Sequence, residues 1–70
     1  KESPHERFKR LASKRTNEIL KKLRILGNCS NRNLYTYSDE DVDRIFNTIV
    51  RQVREIKAKF RMTKKINFKL

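Results

Sequence analysis

DVDRIFNTIVRQVREIKAKF, residues 41 to 60, contains no Gly and no Pro and repeats its apolar residues at helical intervals. Val42, Phe46, Ile49, Val53, Ile56 and Phe60 follow one another at spacings of 4, 3, 4, 3 and 4. That alternation keeps all six on one side of an α-helix and makes a heptad seam. Ile45 and Val50 widen it. The start of the helix is marked just upstream. Ser38 with Asp41 is a capping pattern, and Asp39, Glu40, Asp41 and Asp43 bring negative charge to the positive end of the helix dipole. These residues predict a helix over 39–62.

The same signals recur at the beginning of the chain. Ser3 is followed three residues later by Glu6, which is a capping box. Pro4 stands at the first helical position, where its missing N–H costs nothing. Phe8, Leu11, Ala12, Ile19, Leu20, Leu23 and Leu26 then recur at helical spacing, with Thr16 on the same face. Gly27 is a natural C-terminal stop. The prediction is an amphipathic helix over 4–26.

Residues 27 to 38 read as a joint between the two helices. Asn28, Asn31 and Asn33 suit a turn-rich segment, since Asn tolerates left-handed backbone and bonds its own main chain. Tyr35 and Tyr37 are expected to close the open end of a core, and Cys29 to fill a half-buried place in the joint. After the second helix, Ile66, Phe68 and Leu70 alternate with polar residues, so residues 63–70 read as a strand-like tail or an apolar flap. The fold class expected is all-α: one domain over 1–70, an antiparallel hairpin of two long amphipathic helices over 4–62. A lone hairpin leaves each stripe half covered, so a dimeric four-helix bundle is favoured over a loop or tail folding back.

Length and composition bound the problem further. Seventy residues make one domain at most, and hydrophobic residues are only 36%, so any core is small. The 19 Lys and Arg against 8 Asp and Glu give a net charge of +11, a field that draws polyanions. No apolar run approaches the ~20 residues of a membrane span, no signal peptide is visible, and a membrane partner is disfavoured. The single Cys fits a reducing, cytoplasmic setting. The chain starts at Lys1 rather than Met, as a trimmed chain or a piece of something longer does.

The positive charge is not spread evenly. Arg10, Lys14, Asn17, Lys21 and Arg24 form one row opposite the apolar stripe of the first helix. Arg44, Asn47, Arg51, Arg54 and Arg61 form a similar row on the second. Glu6 with Arg10, Glu18 with Lys22, and Glu40 with Arg44 are i,i+4 pairs that support a helix and nothing more. In a hairpin, Arg7, Lys9, Arg10, Lys14, Lys57, Lys59, Arg61, Lys64 and Lys65 gather at one end, and the acids at 39–43 mark the other. The candidate nucleic-acid contacts are therefore Arg7, Arg10, Lys14, Asn17, Lys21, Arg24, Arg51, Arg54, Lys57, Arg61, Lys64 and Lys65. Cations of this kind bind phosphates and give affinity without sequence specificity. The plainer reading is a solvated helix surface.

Catalytic machinery is not expected. The sequence has no glycine-rich phosphate loop, no paired carboxylates in an apolar setting, and no nucleophile with a base. One His and one Cys do not build a zinc site, and Asp39-Glu40-Asp41 lacks the spacing and Gly of an EF-hand. His5 reads as solvated. No enzyme activity, cofactor or metal is predicted. A helix-turn-helix needs shorter helices and a tighter turn, and a ribbon-helix-helix needs a strand before its first helix.

One stretch carries a resemblance. Lys14-Arg15, Asn17, Ile19-Leu20, Leu23-Arg24, Leu26-Gly27-Asn28, Ser30-Asn31, Asn33, Tyr35, Tyr37, Glu40-Asp41-Val42 and Ile45-Phe46 resemble a recurring type of small basic helical protein from plasmids, phages and other mobile elements of Gram-positive bacteria. The resemblance covers about half the chain. It implies a mobile-element accessory protein and assigns no role to any residue.

Two functions follow as expectations. The first is a small basic nucleic-acid-binding accessory protein, DNA or RNA, acting as a homodimer. The second is a protein-interaction module, an inhibitor or adaptor that docks on a larger protein or ribonucleoprotein. Its contacts would be Arg32, Tyr35 and Tyr37 in the joint, and Ile66, Phe68 and Leu70 in the tail.

Overall fold

A capped first turn begins each of the two helices found among the described residues. The computed structural model describes the backbone of residues 1–65 and the side chains of residues 1–61. It divides into two units, Lys1–Thr36 and the chain from Tyr37 onward.

In the first unit, α1 runs Pro4–Gly27. Its start is the capping box read from the sequence. The Glu6 N–H donates to Ser3 Oγ at 3.1 Å, and the Ser3 N–H donates to Glu6 Oε1 at 2.9 Å. The Arg7 N–H donates to the Ser3 carbonyl at 2.9 Å and opens the helical ladder. Two donors that a helix start leaves unanswered are thus satisfied by one pair of side chains.

The end of α1 differs from the expectation. Gly27 does not stop the helix in a left-handed turn: it is the last residue of α1, with φ −58° and ψ −26°. The chain leaves through a single 3₁₀ turn, Asn28–Ser30, which tightens the ladder instead of reversing it. The Asn28 N–H is bonded to the Ile25 and Leu26 carbonyls. No described residue has a positive φ. Asn31 makes the turn by hydrogen bonding alone. Its carbonyl accepts from the Leu34 and Tyr35 N–H groups at 3.1 and 3.0 Å, and its side-chain Oδ1 accepts from the Asn33 N–H at 3.0 Å.

In the second unit, α2 runs Asp39–Lys65, longer than the 39–62 predicted. Its start repeats the reciprocal cap with an aspartate. The Asp41 N–H donates to Ser38 Oγ at 3.1 Å and the Ser38 N–H to Asp41 Oδ2 at 2.9 Å. Thr63, Lys64 and Lys65, assigned above to a strand-like tail, are helical. Nothing between Arg61 and Lys65 breaks a helix, and Lys is favourable toward a helix C-terminus. Ile66, Phe68 and Leu70 lie outside the described residues, so the strand-like part of the tail does too. Within α2, Thr48 Oγ1 donates to the Arg44 carbonyl at 2.8 Å, so this mid-helix hydroxyl is satisfied by its own helix.

The fold is therefore mostly helical, with two helices and no strand among the described residues. None of the described side chains is fully buried. Leu11, Ala12 and Leu26 are half-buried in the first unit, and Tyr37, Val42 and Ile49 in the second. A helix cannot bury its own stripe, and Phe8 and Ile19 on α1 and Phe46, Val53 and Phe60 on α2 are each exposed to about half or more. No helix is long and apolar enough to cross a membrane among the described residues.

Two outcomes test this local account. A methyl group on Gly27 meets nothing within 4 Å, and its backbone is already right-handed. Gly27→Ala will stabilise α1 by about 0.5–1 kcal/mol, read as increased ellipticity at 222 nm and a higher Tm. The caps predict an acid dependence. Hydrogen bonds from Ser3 and Ser38 hold the Glu6 and Asp41 carboxyls below their ordinary values, with Arg44 a minor contributor at Asp41. A depressed pKa stabilises the helix above the unfolded carboxylate range, about 3.9–4.3, and that support is lost as pH falls through the folded value. Ellipticity will therefore decline on acidification. Ser38→Ala, at a typical cap cost of about 1 kcal/mol, will flatten the decline while lowering its starting level.

Candidate nucleic-acid interface

The two helices carry their cations differently. In α1 the eight Lys and Arg outnumber the two Glu, and basic residues occur from the first turn to the last. Arg7, Arg10, Lys14, Asn17, Lys21 and Arg24 fall within roughly 100° of arc at the α-helical turn angle. All six are exposed. In α2 the charge changes sign along the axis. Asp39, Glu40, Asp41 and Asp43 occupy the start, and Arg51, Arg54, Lys57, Lys59 and Arg61 follow with only Glu55 opposing them. The backbone at Lys64 and Lys65 continues the helix.

Not every cation of the α1 row is available in the same way. Glu2, just before the cap, reaches over the first two turns to Arg10. Arg10 Nε donates to Glu2 Oε2 at 2.7 Å and Arg10 Nη2 to Glu2 Oε1 at 3.0 Å. This two-pronged pairing holds the Glu2 carboxyl below its ordinary pKa and raises that of Arg10. The pair is solvent-exposed, so it adds little to stability, but it occupies the fork that would grip a phosphate. The i,i+4 pair expected between Glu6 and Arg10 is not made, because Glu6 turns back to cap the helix. Nor do Glu18 with Lys22 or Glu40 with Arg44 close into ion pairs among the described residues: an exposed pair gains too little to hold two long side chains in one place.

On α2, Arg54, Lys57 and Arg61 line one shallow open groove, with Ala58 between them. The spacing i, i+3, i+4, i+7 stacks these four residues on adjacent turns of the same face. The short Ala58 side chain leaves the space, and the three long basic side chains form its walls. Sequence reading marked the three cations but missed Ala58, whose small size is what makes a groove of them.

The joint gives less than expected as a contact surface. Arg32 lies in the turn closed by Asn31. Tyr35 is half-exposed and Leu34 is 71% exposed, so neither seals a core. Tyr37, in the second unit, is half-buried. Cys29 is an exposed free thiol and not the half-buried filler anticipated, because the 3₁₀ turn puts it on the outside. The His5 ring stacks near Phe8, with centroids 6.4 Å apart, at the first turn of α1. Among the described residues no three His, Cys, Asp or Glu side chains come together as metal ligands.

Comparison with known proteins finds no matching family model, no similar curated protein and no similar solved structure.

The exposure of Cys29 has a direct check. A thiol-reactive dye will label it to completion under native conditions, at a rate close to that found in denaturant, since an exposed thiol needs no opening of the fold. Labelling that proceeds only after unfolding would show a covered thiol.

Proposed function

We propose that this chain is a small basic nucleic-acid-binding accessory protein that contacts phosphates through the exposed basic face of α1 and the second half of α2. The groove of Arg54, Lys57 and Arg61 around Ala58 is the observation that carries this reading. Three cations around one small residue suit a phosphate oxygen cluster. Arg7, Lys14, Lys21 and Arg24 supply further phosphate contacts along α1, and Asn17 a neutral donor among them. Phosphate contacts of this type bind without reading base edges, so the expected preference is for charge density over sequence. The arrangement we propose for covering the apolar stripes is an antiparallel hairpin of α1 and α2, two of which make a dimeric bundle.

A second reading, a module that docks on a larger protein or ribonucleoprotein, draws on Leu34 and Tyr35. Both are exposed apolar side chains in the turn that follows α1. The resemblance to small mobile-element proteins accommodates either reading.

The test is binding of labelled duplex and single-stranded nucleic acid, followed by fluorescence anisotropy across a salt series. Affinity will fall steeply between about 50 and 200 mM salt, with a logarithmic slope near 0.9 per phosphate neutralised on a duplex. Arg54→Ala with Arg61→Ala will lower that slope by about 2 and weaken binding to all sequences alike. Ala58→Glu, which adds a carboxylate to the groove, will weaken it further. Glu2→Gln, which frees the Arg10 fork, will tighten binding. Undetectable binding at about 50 mM salt, where even weak phosphate contacts register, would sink the proposal.

A further inference from the structure

The geometry points to a second copy of this chain as the occupant of the α2 seam, lying antiparallel along it in one register. This inference rests on the dimeric part of the reading above and not on nucleic-acid binding.

Val42, Phe46, Ile49, Val53, Ile56 and Phe60 lie on one continuous helix, and none is fully buried. In heptad positions they read d, a, d, a, d, a. Two antiparallel helices pack by setting each a layer against a d layer of the partner. Here a single register satisfies all six at once: Val42 opposes Phe60 of the second copy, Phe46 opposes Ile56, and Ile49 opposes Val53. The dyad repeats each of these three layers, and no seam residue is left over. Val50, flanking the seam, then meets its own symmetry mate, so the residue that widened the stripe also acquires an apolar neighbour.

Charge selects the direction. In this register Asp43 of one copy stands beside Lys57 of the other, and the dyad repeats the pair. The acidic start of each α2, Asp39 to Asp43, runs against the basic second half of its partner. A parallel pair would align acid with acid at one end and Lys57, Lys59 and Arg61 with their own copies at the other. Like charges facing across a helix pair oppose association, and opposite charges set partner orientation. The cations of the Ala58 groove other than Lys57 stay on the outer side, so pairing does not cover them.

The prediction is read on the full chain without nucleic acid, with Cys29→Ser as background. Sedimentation equilibrium will give a dimer whose dissociation constant rises with salt. Asp43→Lys and Lys57→Asp will each weaken the dimer by roughly tenfold or more, because both symmetric pairs turn from attractive to repulsive. Mixing the two variants will restore a dimer near the original affinity. In that mixed dimer the introduced lysine faces the introduced aspartate of the other chain, and the remaining native Lys57 faces the remaining native Asp43. Oxidation will cross-link Val50→Cys with its own copy faster than Val53→Cys; a parallel pair reverses that order. Circular dichroism on each variant separates loss of helix from loss of pairing. A chain that is monomeric up to about millimolar concentration, dimerises indifferently to both charge exchanges, or cross-links faster through position 53 than through position 50 overturns the inference. Failure of nucleic-acid binding leaves these measurements unaffected.

Discussion

The reciprocal bonds between a capping Ser and an acidic residue three positions on are the interaction from which the rest of this molecule follows. Ser3 with Glu6 and Ser38 with Asp41 each set the first turn of a long helix. Nucleating a helix is the costly step, and propagation adds one bond for each residue fixed. Once the first turn is set, every later side chain has an angular position. In α2 no Gly or Pro disturbs that phase, so the seam of Val42, Ile49 and Phe60 stays on one side and Arg51, Arg54 and Arg61 stay off it. In α2 helical geometry alone keeps that seam and those three arginines apart.

That separation leaves an energetic demand. Isolated helices are marginal in water, and most helical stability in proteins comes from packing an amphipathic face. The many ionic side chains here do not substitute for such packing. The ion pair between Glu2 and Arg10 is exposed, and the carboxylates of the caps are at the surface. A chain with capped helix starts and exposed apolar side chains on each helix is specified at the level of secondary structure, and helices of this kind gain stability when a stripe is covered.

What the sequence revealed follows the range of the interactions concerned. Both helix starts were legible because a cap is encoded within four residues. The basic row of α1 was legible because helical periodicity is regular. Gly27 misled because glycine permits a left-handed stop without requiring one, and its neighbours Asn28 to Ser30 continued in a tighter turn. The Glu2–Arg10 pair was invisible because Glu2 precedes the cap, where helical spacing does not apply. Ala58 was passed over because the absence of a side chain leaves no chemical mark, although it shapes the groove beside Arg54 and Arg61. The part assigned to Tyr35, sealing a core, needed tertiary contacts that no local pattern encodes.

The reversal of charge along α2 has one more physical consequence. Asp39 to Asp43 and the cations from Arg51 to Arg61 are centred about four turns apart, roughly 20 Å on the helix axis at about 1.5 Å per residue. A helix charged in this way feels a torque in any non-uniform field. Near a polyanion the basic half is drawn in and the acidic half pushed out, over distances set by the Debye length of about 8 Å at physiological salt. A lone α2 would tilt to meet such a surface with its later turns first, whereas two copies side by side in opposite directions cancel the torque, so pairing would remove the preferred angle of approach.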